Sequence, residues 1–371
     1  MDKRTDKRTD VVIREIHLHD LRMPLIEPYP SAITTIEALE TMVLEVHGSD
    51  GSVGFGEAAI VEGYTHETRE GGWRFCREHA ARAIGQAFAP TKTALLEHRA
   101  DHSHAVSAMV AAIEMADGHP LLAPPAFDYR IPLLAPVNSK QPAAIEAEIE
   151  RLLASGFLTL KVKVGFAVQA DIARVRLIQK CNAGRAKLRL DGNQGYPRED
   201  ALAFVRALDP RDIELLEQPC NDRDWDAAVA VARIAPVPMM LDESIYASSD
   251  IDRAANLRAA DFIKLKLVKA GGLAALCADL ERITACGMRR VLGNGVASEI
   301  NCWMEGVIAH RMIDNAGEMN GYLKPVDRLF ATPLPFSDGC MVIPTGFTPR
   351  LDPRALEQLS VRRERFASVV C

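Results

Sequence analysis

The chain has 371 residues, 48% of them hydrophobic and 25% charged, and carries a formal net charge of −6. That length suits two domains, or a barrel with an attachment, and the composition can bury a large core. The acidic balance argues against nucleic acid as the main partner, and no apolar run reaches the length of a membrane span.

The opening MDKRTDKRTD is charged and duplicated, with no apolar core of a secretory signal, so residues 1–10 are expected to form a disordered tail. Val11 to Arg22, Ala38 to His47 and Ser52 to Ala59 read as three strands, with Ser49-Asp50-Gly51 as a turn before the last. From His66 to Gly118 the spacing becomes helical. Trp73, Cys76, Ala80 and Ile84 share one face, and so do Ala105, Met109, Ala112, Ile113 and Ala116. Residues 11–130 are therefore an α+β domain. His102 and His104 have metal-ligand chemistry but no third partner in sequence, so a polar loop between helices is the expectation there. The proline-rich stretch Pro120–Pro136 marks a boundary.

Beyond it, short apolar runs alternate with helical segments: Ile131–Val137, Phe157–Val164, Lys187–Leu190, Ile213–Leu216, Pro238–Leu241, Phe262–Leu267 and Arg289–Leu292. Repeated strand-helix alternation implies a parallel sheet, and this many units fit a closed (β/α)8 TIM-type barrel over residues 131–324. The tail, 325–371, is proline-rich and short of helical pattern. It is expected to pack back on the N-terminal domain and complete an α+β cap. The eight cysteines include no C-x-x-C pair, which fits reduced thiols in a cytoplasmic protein. Phosphate-loop, dinucleotide, zinc-protease and serine-hydrolase motifs are absent.

In such a barrel, active residues sit where strands end. Three successive strands end in acids: Asp191 in RLDGNQG, Glu217 in LLEQP and Asp242 in MLDES. The next carries Lys264, Lys266 and Lys269 in KLKLVKAGG. From Asp191 to Lys266 the intervals are 26, 25 and 24 residues, one strand-helix unit each, so the charges stand at one height. A ring of one acid per strand is a cage of hard oxygen ligands suited to Mg²⁺, with Asn193 and Glu243 as weaker supporting members. A lone Asp at a strand end is ordinarily a cap or turn residue; three in a row are not.

The second strand, LKVKVG, puts Lys161 and Lys163 on one face and its aliphatic residues on the other. That face is the barrel interior, opposite Lys266. A substrate carboxylate on the metal would lie between the lysines, and α-proton removal would give an enediolate stabilised by the cation. Lysine is a poor base at its usual pKa of about 10.4. Neighbouring cations are expected to lower it here.

These residues resemble the enolase superfamily, within it the muconate-lactonising subgroup: Lys-x-Lys, then Asp191, Glu217, Asp242, then Lys266 followed by Gly271-Gly272, with GFGEA (Gly54–Ala58) in the cap. Lysine or histidine bases beside Mg²⁺ are the known pattern of that superfamily's sites. The resemblance implies Asp191, Glu217 and Asp242 as Mg²⁺ ligands, Lys163 and Lys266 as the acid/base pair, and Lys161 in substrate binding. It also implies that segments 24–36 and 61–65 touch the substrate. The segments EGYTHET, VLGNGVASEINCWME and DNAGEMNGYLKP look most like cis-3-hydroxy-L-proline dehydratases, which form Δ1-pyrroline-2-carboxylate; this adds Tyr64, Asn294, Glu318 and Asn320 as substrate contacts. Dipeptide epimerases carry Asp-x-Asp on the last strand to hold a substrate ammonium, and this chain departs from that. Lys264 stands where many members have a neutral residue. The expected partner is thus a small amino-acid-type carboxylate, and apolar cap and barrel surfaces suggest a homo-oligomer. A racemase, epimerase or cycloisomerase remains open within the family. From other classes, a Schiff-base lysine aldolase and a catalytically silent binding protein remain open.

Overall fold

The computed structural model describes residues 11–30, 35–63 and 65–368, so the charged repeat 1–10 and the expected contact Tyr64 lie outside the described residues. The chain begins with three antiparallel strands, β1 (Ile13–Pro30), β2 (Thr35–Gly48) and β3 (Val53–Ala58). On one face of this sheet Ile16 lies opposite Val46 and Leu18 opposite Leu44, all buried. Helices α1 (Arg69–Ala83), α2 (Phe88–Leu96) and α3 (Ser103–Ala116) cover that face, with Trp73, Cys76, Ala80, Met109 and Ala112 in one core with it. Each fully buried aliphatic side chain there contributes about 1.5–3 kcal/mol.

The run expected as one strand at 131–137 is two. β4 (Tyr129–Pro132) pairs antiparallel with a strand from the chain's end, and β5 (Ala135–Val137) starts the barrel. Leu133 and Leu134 are buried across the break, so hydropathy alone does not reveal it. The barrel then alternates: α4 (Pro142–Ala154), β6 (Thr159–Lys163), α5 (Val168–Asn182), β7 (Lys187–Asp191), α6 (Arg198–Ala207), β8 (Ile213–Glu217) and α7 (Trp225–Ile234). It continues through β9 (Met239–Leu241), α8 (Ser248–Leu257), β10 (Phe262–Leu265), the short α9 (Leu267–Ala270), α10 (Leu273–Ala285), β11 (Arg289–Leu292) and α11 (Glu299–Met312).

Strands β5 to β11 pair in chain order, all parallel. The eighth position is filled by an irregular segment. Glu318 N donates to Leu292 O (3.0 Å), Gly317 N to Pro132 O (2.9 Å), and Leu134 N to Gly317 O (2.9 Å). Gly293 permits this closure: its φ is +133°, and a Cβ there would lie 2.6 Å from Glu318 N. The fold is thus a modified (β/α)8 barrel with an α+β cap.

The tail departs from expectation in one respect, since it holds a helix. After β12 (Phe336–Ser337) and β13 (Cys340–Ile343), α12 (Pro353–Leu359) is capped by Asp352 and leads into β14 (Ser360–Ala367). β14 pairs with β1, so the tail completes the cap sheet in the order β14-β1-β2-β3. Arg362 of β14 bonds the buried Asp20 (2.8 Å) and stacks over Trp73, 4.3 Å from its ring centre. The seven described cysteines are unpaired, and among the described residues no helix is long and apolar enough to cross a membrane.

Cap and barrel meet through buried polar links. Glu57, from GFGEA, accepts from Ser298 N and Oγ (2.8 Å each) and Asn301 N (3.1 Å) at the start of α11. Glu114 at the end of α3 accepts from Leu273 N (2.6 Å), and Arg99 donates to Tyr246 O (3.0 Å) and Lys269 O (3.2 Å).

Candidate active site

Strand alternation sorts the barrel interior into layers. Leu215, Met240, Phe262 and Val291 form a small apolar plug. Two residues further along their strands, and therefore on the same inward face, come Glu217, Asp242 and Lys264. Lys161 and Lys163 are paired in register with Arg189 and Asp191, and Asp191 with Glu217. Leu160 and Val162 point the other way, into the core beneath the helices. The two lysines of LKVKVG therefore enter the layer that holds the acids.

The contacts form one network of alternating charge. Lys161 Nζ bonds Glu318 Oε1 and Oε2 (2.9 Å each), Asp191 Oδ2 (2.9 Å) and Glu217 Oε2 (3.0 Å). Lys264 Nζ joins Glu217 Oε1 (3.0 Å), Asp242 Oδ2 (3.4 Å) and Glu318 Oε2. Lys163 Nζ donates to Asp191 Oδ2 (2.6 Å) and to Asn193 Oδ1, while Asn193 Nδ2 donates to Glu243 Oε1 (2.8 Å). Lys266 Nζ meets Asp242 Oδ2 at 2.7 Å, and Lys269 Nζ meets Asp242 Oδ1 at 3.2 Å.

The strand ends that present these acids are held in unusual backbone. Asn193 and Gln218 have φ of +38° and +35°, the left-handed region that non-glycine residues seldom adopt. Gln218 offsets the cost by tying two strand ends together. Its Oε1 accepts from Asp242 N (3.1 Å) and Ser244 N (3.2 Å), and its Nε2 donates to Cys220 O (3.1 Å) and Ser244 Oγ (2.8 Å).

The donor set fits Mg²⁺. Asp191, Glu217 and Asp242 are at most 1% exposed, and neighbouring carboxylates already share a cation: Lys161 bridges the first two and Lys264 the last two. Each neighbouring pair shares a different ammonium group, and carboxylates on three successive strands are the donors a hard divalent ion takes once the lysine heads between them give way.

Protonation follows burial and charge together. Burial raises Asp191 and Asp242, but the adjoining lysines outweigh it and leave both below the ordinary carboxylate value. Glu217, buried between two other acids, is pushed up. For three of the lysines the neighbouring cations are only part of the balance. Burial favours neutral Lys161, Lys163 and Lys264, yet the carboxylates in contact with each outweigh it and hold all three above the ordinary lysine value. Lys269 is lowered, with burial as the main cause.

The cavity over this layer, about 770 Å³ counting its open mouth, is lined on the barrel side by the five lysines just described together with Asp191, Asn193 and Asp242. The cap contributes Tyr29, Ile36, Ala59, Val61, Thr65 and His104, so parts of both cap segments expected at the mouth do reach it. Asn294 and Glu318 line it too. Asn320 does not: its Nδ2 donates to Leu134 O (2.9 Å) and its Oδ1 accepts from Lys324 Nζ (3.1 Å), an arrangement that braces the closing segment. Glu217 and Glu243 lie beneath the cavity wall.

Sequence reasoning misplaced His104 and gave no role to Glu67, Lys269 or Gln218. His104, expected in a polar loop, is a buried residue of α3 whose Nδ1 lies 2.9 Å from Glu67 Oε1. Glu67 also accepts from the backbone N–H groups of His104 (2.6 Å) and Ala105 (3.3 Å), fixing the helix start at the cavity. Lys269 and Gln218 were visible as residues, but only the fold brings them to Asp242.

The chain matches the family described as "Enolase C-terminal domain-like" over residues 144–349. It is 29% identical to L-Ala-D/L-Glu epimerase of Bacillus subtilis over 303 residues, which cover 78% of this chain and 82% of that one. Among solved structures it resembles N-succinyl Arg/Lys racemase from Bacillus cereus, with TM-score 0.87 and 21% identity over 95% of this chain and 99% of the other. It also resembles a dipeptide epimerase from Cytophaga hutchinsonii in complex with Mg and D-Ala-L-Val, with TM-score 0.86 and 20% identity over 96% of this chain and 100% of the other. These relatives are isomerases, and hydroxyproline dehydration finds no support among them. The family match spans more than half of the sequence and falls on the barrel that carries the charged layer, so the chain belongs to the enolase superfamily, among its muconate-lactonising and mandelate-racemase-type members.

Proposed function

We propose that this chain is a Mg²⁺-dependent racemase or epimerase that inverts the α-carbon of an amino-acid-type carboxylate. The observation that carries the reading is the placement of Lys163 and Lys266. Their strand ends are four steps apart in a ring of eight positions, on opposite walls of one cavity. Two amines facing each other across a substrate α-carbon can remove a proton from one face and return one to the other, which is inversion.

In this reading Asp191, Glu217 and Asp242 hold Mg²⁺, which when bound supplies positive charge to the substrate carboxylate. Lys161 keeps that carboxylate in place by charge. Asp191, the acid that keeps Lys163 charged, would be taken up by Mg²⁺; whichever of Lys163 and Lys266 is then neutral takes the α-proton and the ammonium opposite delivers one, so either configuration can be the substrate. Asn193 and Glu243 orient Lys163 from one side, and Asp242 orients Lys266 from the other. The cap excludes water from the reacting centre through Tyr29, Ile36 and Val61.

The substrate class follows from the last strand position. Dipeptide epimerases hold a substrate ammonium on an Asp-x-Asp there. In this chain Glu318 is committed to Lys161 and Lys264, and Asn320 is neutral and braces the backbone. No carboxylate at that place is left to receive an ammonium, which favours a substrate whose amine is acylated, such as an N-succinyl amino acid. The test is chiral chromatography after incubation with Mg²⁺ and a panel of N-succinyl amino acids, dipeptides and cis-3-hydroxy-L-proline. Inversion of the N-acyl compounds is expected. Inversion of free-amine dipeptides alone would overturn the substrate class, and Δ1-pyrroline-2-carboxylate from hydroxyproline as the dominant product would overturn the reaction.

A further inference from the structure

We propose that His17, Glu45 and His47 form a second metal site, for a transition-metal cation of the Zn²⁺ class, on the outer face of the cap sheet. Alternation puts them there. Ile16 and Leu18 of β1, and Leu44 and Val46 of β2, face the helices, so Glu15, His17, Glu45 and His47 face away. The register sets His17 directly opposite Glu45 and Glu15 directly opposite His47. The two imidazoles are therefore diagonal neighbours, with ring centres 5.1 Å apart and the Glu45 carboxylate between them.

The donor atoms converge. Glu45 Oε1 lies 2.6 Å from His47 Nε2 and 3.9 Å from His17 Nδ1, and one donor atom from each residue falls within 4.8 Å of the others. Ligands of one Zn²⁺ at about 2.0–2.2 Å are at most about 4.4 Å apart, so small torsional shifts bring all three onto one ion. Two imidazoles and a carboxylate suit Zn²⁺ better than Mg²⁺, which prefers oxygen donors. All three side chains are about one-fifth to one-third exposed, sheltered yet reachable from solvent.

A supporting shell is already built. The other nitrogen of His17, Nε2, bonds Glu15, and Glu15 Oε2 is held by Arg365 Nη2 of β14 at 2.9 Å. This carboxylate–imidazole pairing fixes the ring with Nδ1 toward Glu45, the arrangement found behind metal-bound histidines. His19 is not part of the set, because its Nδ1 lies 3.0 Å from Ser360 Oγ and its ring centre 6.4 Å from that of His17. None of these residues lines the barrel cavity. Bound metal would cross-link β1 to β2, with β14 held behind it.

The test is calorimetric titration of Zn²⁺ into the full chain saturated with Mg²⁺, beside the His17→Gln/His47→Gln double variant and Glu15→Gln. The unmodified chain is expected to bind one more Zn²⁺ than the double variant. Glu15→Gln should keep that stoichiometry with affinity lowered about 10–100-fold. Equal Zn²⁺ stoichiometry and affinity in the unmodified chain and the double variant would overturn the site and leave an ordinary ion-pair cluster. A second measurement needs no multiple substitution: the ring ¹⁵N resonances of His17 and His47, assigned with single Gln variants, should shift with Zn²⁺ and not with Mg²⁺. Unmoved resonances would overturn the proposal equally.

Discussion

Glu305→Gln should flatten the pH dependence of stability. Glu305 sits on α11, fully buried, where its Oε1 accepts from Leu267 N (2.7 Å), the residue directly after Lys266. Its Oε2 has no hydrogen-bond partner among the described residues. Burial is the main cause of its high pKa, raised from 4.5 to about 8, with Leu267 N–H and Lys266 opposing. The sign is then fixed. Below pH 4.5 the group is protonated in both states and has no effect; between 4.5 and 8 the unfolded chain ionises first, so folding loses free energy as pH rises; above 8 the loss is complete. At 1.36 kcal/mol per pH unit the full loss is about 5 kcal/mol. Glutamine keeps the acceptor for Leu267 N and cannot ionise. Urea unfolding of both proteins near pH 4.5 and near pH 8 cancels every other titrating group, and the difference should favour the variant at the higher pH by up to that amount. Parallel pH profiles would refute a neutral Glu305 in the folded protein.

Asp242→Asn removes the carboxylate that meets Lys264, Lys266 and Lys269. Turnover should fall by on the order of 100-fold or more, with Mg²⁺ affinity lost in calorimetry; full turnover after exhaustive chelation would contradict the metal assignment. Arg362→Ala strips one of the two arginines from buried Asp20 and uncovers Trp73. It should lower the unfolding free energy by about 2 kcal/mol in urea titration, and an unchanged midpoint would show that β14 is held by its backbone alone.

How much of this was legible depended on periodicity. The acids could be read because strand-helix units of nearly constant length set one per strand, and Lys161 and Lys163 because a period of two leaves no other face. Where the chain is irregular, the reading failed. Leu133 and Leu134 continue an apolar run across a break that only the antiparallel partner β13 explains. Gly317 and Glu318 close the barrel with backbone bonds and no strand pattern. β14, SVRRERFA, is too charged to read as a strand until β1 supplies its partner. His104 looked like loop polarity because its reason for burial, Glu67, lies 37 residues away in sequence. The carboxylate half of the lysine balance was hidden for a related reason. Cations near Lys163 were visible as neighbours in sequence, but the nearer Asp191 is a neighbour only in space.

The central claim is that Lys163 and Lys266 exchange protons with opposite faces of one α-carbon. Its most direct test is ¹H NMR of Mg²⁺-loaded Lys163→Ala and Lys266→Ala in D₂O, each with both enantiomers of a substrate such as an N-succinyl amino acid. Neither variant should interconvert the enantiomers. Each should wash deuterium into one enantiomer only, with retained configuration, and the two variants should choose opposite enantiomers. With Lys163 as the base for the L form, Lys266→Ala is the variant that should exchange it. The same enantiomer exchanging at the same rate in both variants would mean that another group takes the proton, and would contradict the account.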